Sequence, residues 1–451
     1  MSSTHRLSAD ALKAKAERPS REAMRLHPFY RGKVETALKC CVRDFEDFAV
    51  WYSPGVAAPC RDIQQNPDRV YDHTSKWNTV AVISDGSRVL GLGDIGPKAG
   101  LPVMEGKALL FKYLGGVDGQ AIMLDAHDAD EIIRIVLALQ PSFGGVNLED
   151  IAQPKFFRIL DELRARAEIP VWHDDQQGTA TVTLAGLINA LKVVGKRIDR
   201  VSIAFIGSGA SNVACSRLIF GWGADPGRCR VVDSKGLLGR HRTDVAAVKQ
   251  DYAFKWRLCE ITNAEGRTGG IPEAIEGADV VIALSKPGPG TIHKDWIARM
   301  KPGGIVFACS NPVPEIWPWE AAEAGASVVA TGRSDFPNQV NNSLGFPGIF
   351  RGALDVRART ITDEMCFAAA EALASHAEGS LAPDRILPTM DDWEIYPKEA
   401  AAVGRKAQEQ GVARVTVSRD DLLAGATRMI RRSRDLTAAM MRDGFIPSAP
   451  A

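Results

Sequence analysis

The sequence has no long uninterrupted apolar run. Its most hydrophobic stretch, VSIAFIGSGASNVACSRLIFGWG (201–223), is broken by glycines and by Arg217, so no segment reads as a membrane span. There is no excess of charge of either sign. Lys+Arg and Asp+Glu number 55 each, which removes the global field that nucleic acid or an anionic lipid surface would need. Neither partner is expected. The eight cysteines (Cys40, Cys41, Cys60, Cys215, Cys229, Cys259, Cys309, Cys366) form no C-x-x-C pair, so no disulfide framework is expected and they read as thiols of a reducing compartment. The N-terminal MSSTHRLSADALKAKAERPS lacks the apolar core of a secretory signal, and Asp10 and Glu17 weaken a transit-peptide reading. Low-complexity tracts, repeats and long linkers are also missing. The expectation is a soluble, cytoplasmic protein.

What remains is an ordinary globular composition, 45% hydrophobic and 24% charged over 451 residues, enough for two or three domains. Short apolar strands are expected at TVAVIS (79–84), GQAIMLD (119–125) and IPVW (169–172). Helical spacing marks EGKALLFKYL (105–114) and DEIIRIVLALQ (130–140). From about residue 200 strands and helices alternate: VSIAFIG (201–207), a helix from GASNVA, RCRVVD (228–233), then ADVVIAL (278–284), GGIVFACS (303–310) and ASVVAT (326–331). Such alternation implies a parallel sheet flanked by helices. Beyond about 340 the pattern is mainly helical.

AFIGSGASNVA places Gly207, Ser208, Gly209 and Ala210 directly after a strand and at the start of a helix. There, one glycine permits a tight turn and the next lets the backbone approach a pyrophosphate at the helix N-terminus. Asp233 ends the next strand, where an acid would bind a ribose hydroxyl; Ser234 and Lys235 beside it could instead accept a 2′-phosphate. The third motif position is Asn212 rather than Gly or Ala. The bland alternative is an ordinary strand–turn–helix. A second match, GLGDIG (91–96), is followed by Pro97, Gly100 and Pro102, so no helix is expected to start there and it reads as a turned loop.

Glu149 and Asp150 in NLEDI, with Asp174 and Asp175 in HDDQQGTA, would form an oxygen-rich site for Mg²⁺ or Mn²⁺ if folding brings them together. Adjacent acids are more often solvated helix ends. No His/Cys pattern offers a zinc site, and His173 reads as packing or support. Lys107, in the apolar MEGKALL, reads as a snorkelling side chain or as a base with a lowered pKa. Tyr52, in WYSPGVAAPC, reads as a core aromatic or a proton donor. Asn311, Asn341 and Asn342 lie in Asn/Pro/Gly-rich loops after expected strands, where open α/β sheets hold their ligands.

Taken together, WYSPGVAAPC, VLGLGDIGPKAG, PVMEGKALLFK, FGGVNLEDI, HDDQQGTA, SNPVPEI and TGRSDFPNQVNNSLGFPGIFRGALD closely resemble the bacterial malic enzymes, collinearly from about 25 to about 415. The resemblance implies oxidative decarboxylation of L-malate to pyruvate with NAD or NADP and Mg²⁺ or Mn²⁺. By resemblance Glu149, Asp150 and Asp175 hold the metal. Lys107, hydrogen-bonded to Asp174, takes the substrate's hydroxyl proton, and Tyr52 protonates C3. Arg88, Asn311 and Asn342 contact substrate, while Gly207, Ser208, Gly209, Ala210, Asp233, Ser234 and Asn341 contact the dinucleotide. A homodimer is implied, in which the tyrosine can serve the partner's site, and no appended acetyltransferase-like domain is expected.

The sequence departs from the family pattern at Arg88, Lys98, Leu101 and Asn212. Those departures keep a different 2-hydroxy diacid, or redox-neutral malolactic chemistry, as alternatives; a non-catalytic dinucleotide sensor is a remoter one. The expected fold is α/β: a Rossmann-like doubly wound NAD(P)-binding domain (176–336) beside an α/β catalytic and metal domain (1–175). C-terminal helices (337–451) are expected to complete the latter.

Overall fold

The computed structural model describes residues 9–250, 252–311 and 313–450, residues 9–17 by their backbone alone. The first eight residues of the segment read for a leader lie outside that range. Among the described residues ten strands form two sheets. The first holds β1 (Thr79–Ser84), β2 (Asp118–Met123), β3 (Gly145–Leu148) and β4 (Val171–His173), in the order β2-β1-β3-β4, all parallel. β1 is buried along its whole length, as a central parallel strand covered on both faces must be. Leu148 on β3 pairs with His173 on β4. The residues that follow, Glu149-Asp150 and Asp174-Asp175, therefore leave the sheet side by side at its carboxyl edge.

The second sheet holds β5 (Ile203–Ile206), β6 (Arg230–Asp233), β7 (Gly236–Leu237), β8 (Val280–Ala283), β9 (Gly304–Ala308) and β10 (Ala326–Thr331), in the order β10-β9-β8-β5-β6-β7. Only the short β6–β7 pair is antiparallel. The chain runs from β5 to β6 on one side, then crosses to β8 on the other, so the strand order reverses at β5. In open α/β sheets a dinucleotide lies in the crevice at such a reversal. The expected α/β architecture with a Rossmann-like sheet is present.

A helix at Phe346–Asp355 and two later ones at Ile395–Glu409 and Arg419–Arg442 fold back onto the helix Gly96–Gly115. Phe111 meets Phe346 and Phe350 edge-on, at ring centroids 4.6 and 5.1 Å apart. One hydrophobic cluster runs from Val80 and Phe111 through Trp172, Leu184 and Phe307 to Phe350, Tyr396 and Ile430. Both sheets and the C-terminal helices thus share a core.

The Gly96–Gly115 helix corrects one expectation. A helix does begin at GLGDIGP, with Pro97 in its first turn, where the missing N–H needs no intrahelical partner. Pro102 lies inside the helix, and burial of Met104, Ala108, Phe111 and Leu114 offsets the bond it cannot donate. Among the described residues no helix is long and apolar enough to cross a membrane, and all eight cysteines are free.

Glu399 is fully buried between the Ile395–Glu409 and Phe346–Asp355 helices, and neither carboxylate oxygen has a hydrogen-bond partner. Burial pushes its pKa well above the usual value. The folded chain therefore keeps a proton that the unfolded chain has released above about pH 4.3. Stability falls as pH rises from there through the folded-state value. Glu399→Met, similar in volume, is expected to raise Tm and to flatten its decline between acidic and neutral pH. Scanning calorimetry checks this, with a gain of roughly 1–3 kcal/mol set by the orphaned polar group it removes.

Candidate active site

Lys107 lies on the fourth turn of the Gly96–Gly115 helix and points at the carboxyl edge of the first sheet. Its ammonium is buried and stands 2.6 Å from Asp174 Oδ2 and 3.0 Å from Glu149 Oε1. It also lies 4.5 Å from the centre of the Phe346 ring. The snorkelling alternative is therefore excluded. The lowered pKa read from the sequence is overturned: burial alone would lower the ammonium's pKa, but the Asp174 and Glu149 carboxylates outweigh it and hold Lys107 above its ordinary range. Each carboxylate is fixed from behind: Trp172 Nε1–H donates to Asp174 Oδ1 at 3.1 Å, and Asn147 Nδ2–H donates to Glu149 Oε2 at 2.8 Å.

HDDQQG does not continue the strand. Asp174–Gly178 forms one widened, π-type helical turn that leads into the helix Thr179–Val194. Such turns recur at functional sites. Here it aims Asp174 inward at Lys107 and leaves Asp175 partly open beside Asp150. Gly178 is required by contact: a Cβ there would clash with Asp174 Oδ1 and lie 3.2 Å from the Asn342 Cβ. Asn342 is thereby placed against the acidic turn.

Asp150 sits in the left-handed backbone region (φ 52°), which Asp tolerates better than most residues. That turn lets its N–H donate to Asp175 Oδ2 at 2.9 Å and its C=O accept from Arg88 N at 3.0 Å. Asp150 Oδ2 is buried without a partner. Burial, reinforced by the Asp175 charge, raises the Asp150 pKa to about 7. Burial likewise raises Glu149, against the opposing Lys107 ammonium. Among the described residues no three acidic, His or Cys side chains already stand as a closed ligand set, because Glu149 is turned to Lys107 and Asp175 to the Asp150 amide. Four carboxylates gathered at one turn, only two of them paired with the single Lys107 ammonium and one oxygen left orphaned, nonetheless form an all-oxygen donor set short of positive charge. That chemistry fits a hard divalent cation such as Mg²⁺ or Mn²⁺.

A groove of about 250 Å³ runs along the reversal point of the second sheet, lined by Gln153, Gly207, Ser208, Gly209, Asp233, Ser234, Tyr252, Phe254 and Lys255. Gly207 has φ 101°, and a Cβ on it would press to 2.8 Å from Leu284 O. Gly209 has nothing within 4 Å of a Cβ; it opens onto the groove at the N-terminus of the helix Ala210–Gly221. Asn212 has a definite job. Its Nδ2 donates to Ile206 O at 2.8 Å and Gly207 O at 3.0 Å, tying helix to strand end where a small residue would have packed.

Residues 31–164 match the family model for the malic enzyme N-terminal domain, and residues 176–408 match that for the malic enzyme NAD binding domain. The chain belongs to the malic enzyme family. It is 48% identical over 404 residues to the bifunctional malic/malolactic enzyme of Bacillus subtilis, covering 89% of this chain and 96% of that one. It is 47% identical to the NAD-dependent malic enzyme of Geobacillus stearothermophilus, covering 85% and 78%. The solved malic enzyme of Entamoeba histolytica superposes with a TM-score of 0.96 at 48% identity, over 99% of this chain and 93% of that one.

Within this malic enzyme fold most of the residues singled out from the sequence fall into two groups. Lys107, Glu149, Asp150, Asp174, Asp175 and Asn342 come together around the acidic turn. Arg88 joins them through its backbone and through its charge on Asp150. Gly207, Ser208, Gly209, Asp233 and Ser234 line the groove, with Ala210 at the first position of the helix behind it. Asn341 caps the turn that carries Asn342, accepting from Ser343 N at 2.9 Å. Asn311 is exposed beyond β9, and its Nδ2 lies 2.9 Å from where a Gly332 Cβ would be.

Tyr52 stands apart. It is 74% exposed at the end of a short helix, Glu46–Trp51, neither a core aromatic nor in contact with the acidic cluster of its own chain. His173 is a packing residue, buried 4.9 Å from the Phe156 ring. Asn147, Trp172 and Gly178 were not singled out from the sequence. The first two lie two residues before Glu149 and Asp174, the spacing that puts strand side chains on one face.

Proposed function

We propose that this protein oxidatively decarboxylates L-malate to pyruvate and CO₂, reducing NAD(P)⁺ with the help of a divalent metal ion. The observation that carries this reading is the buried Lys107 ammonium, fixed between Asp174 and Glu149 at the edge of an acidic cluster short of positive charge. Glu149, Asp150 and Asp175 would hold the ion, and the groove at β5 would hold the dinucleotide. When bound, the nicotinamide accepts hydride from C2, and the ion polarises the oxygen on that carbon.

The chain's own residues carry the proton traffic. With Glu149 and Asp175 turned to the ion they would hold, Lys107 loses part of the negative charge that keeps it protonated; its neutral Nζ takes the C2 hydroxyl proton, and the Asp174 and Glu149 carboxylates beside it stabilise the ammonium that results. Trp172 and Asn147 hold those carboxylates in line. Arg88, Asn311 and Asn342 orient the substrate. Tyr52 Oη delivers the proton that C3 needs once CO₂ has left.

Tyr52 can do this only from a second copy. It belongs to an arm whose apolar side chains are exposed: Leu38 (79%), Phe45 (87%) and Trp51 (50%). A homodimer that buries this arm is part of the reading. So are a cytoplasmic setting, which suits eight unpaired thiols, and the division into residues 1–175 with 337–451 on one side and 176–336 on the other. A panel of C4–C6 hydroxy diacids, each assayed with Mn²⁺ and both dinucleotides, tests the substrate. L-Malate is expected to be turned over best; a clear preference for another diacid would move the assignment to that substrate.

A further inference from the structure

Asp233 lies at the end of β6, where an acid would accept the two hydroxyls of an adenosine ribose. Its carboxylate is already saturated. Oδ1 accepts from Lys235 N at 2.8 Å and from Arg242 Nη1 at 2.8 Å. Oδ2 accepts from Arg242 Nη2 at 2.9 Å and stands 2.6 Å from Lys255 Nζ. A carboxylate offers about four lone-pair directions, and all four are taken.

Arg242 is equally committed. Its five N–H groups go to Asp233 twice, to Asp244 Oδ1 and Oδ2, and to Gly236 O. It is nearly buried and has nothing left for a ligand. Its part is to neutralise Asp233 and hold it in place.

The groups left unspent at this end of the groove are donors. Lys255 lines the groove and gives only one of its three N–H bonds to Asp233. Ser234 lines it too, with an exposed hydroxyl. Lys235 is exposed and tethered to Asp244 at 3.2 Å. Counted together, Lys235, Arg242 and Lys255 exceed Asp233 and Asp244 by one positive charge. A ribose diol finds both oxygens of Asp233 already occupied, whereas a phosphate seeks donors and finds several.

We propose that the β6 end of the groove is a 2′-phosphate site, so that NADP rather than NAD is the dinucleotide of this protein. Lys255 and Ser234 are its contact residues, and Arg242 is the positioning residue that takes Asp233 out of ribose recognition. This rests on the groove being the dinucleotide site, and the test separates the two claims.

Calorimetric titration of the intact protein uses adenosine 2′,5′-bisphosphate and 5′-AMP, which differ only in the 2′-phosphate and cannot be turned over. The bisphosphate is expected to bind at least about tenfold more tightly at low salt, the scale of one charge-assisted hydrogen bond. Lys255→Gln is expected to remove most of that difference; Ser234→Ala removes a smaller part. Equal affinity for the two nucleotides, or a Lys255→Gln variant that weakens both alike, would overturn the proposal. Binding of neither nucleotide would overturn the dinucleotide site itself, and the proposal with it.

Discussion

Lys107→Ala is expected to lower kcat by about 10²–10⁴-fold, the range for loss of one general acid–base group. Dinucleotide affinity should be unchanged, because Lys107 does not line the groove. The same change leaves Asp174 and Glu149 buried without their cation, a loss on the order of 3–5 kcal/mol, so Tm should fall as well. Lys107→Arg separates the two effects. A guanidinium keeps the charge between the carboxylates but does not give up its proton at working pH. Arginine is therefore expected to recover part of the lost Tm and none of the lost rate. Recovery of turnover by arginine would show that the side chain acts through charge alone.

Removal of divalent metal is expected to abolish turnover and lower Tm, with both restored by added Mn²⁺. At a concentration about a hundredfold above its Kd, an ion bound only by the folded chain adds about 2.7 kcal/mol of stability. The gain should depend on pH in a set direction. Burial and the Asp175 charge hold the Asp150 acid up to about 7 in the folded chain, against roughly 3.9 when unfolded. Without metal the chain therefore loses stability as pH rises through that window. Metal binds the ionised carboxylate, so its stabilising effect should be greater above about pH 7 than below it. Asp150→Asn should weaken metal binding while raising the stability of the metal-free protein at neutral pH. Thermal denaturation with and without Mn²⁺ across that range measures both.

Much of this was legible in the sequence where the signal is local. Buried parallel strands such as TVAVIS and IAFI are short apolar runs, and GSG between a strand and a helix marks the turn that opens onto the groove. β3 escaped because GVNL is four residues long, opens on glycine and has no alternation. Its loss hid the adjacency of β3 and β4, and it is adjacency that turns NLEDI and HDDQ from two acidic pairs into one cluster.

Lys107 shows the same limit. Helical spacing put it on an apolar helix but could not say whether that face met solvent or two carboxylates from other strands. The adjacent acids Asp174 and Asp175 diverge around a helical turn rather than along a strand. The saturation of Asp233 depends on Arg242 and Lys255, nine and twenty-two residues downstream, with no pattern tying them to it. Tyr52 could be judged only once its exposure was known.

The most direct test of the central claim follows the carbon that leaves. L-Malate labelled with ¹³C in the carboxyl group at C4 is incubated with the protein, Mn²⁺ and NADP⁺ or NAD⁺. Labelled CO₂, unlabelled pyruvate and reduced dinucleotide are then quantified together. The account predicts all three in equal amounts. Labelled CO₂ with lactate and no net dinucleotide reduction, or no release of label with either dinucleotide, would contradict it.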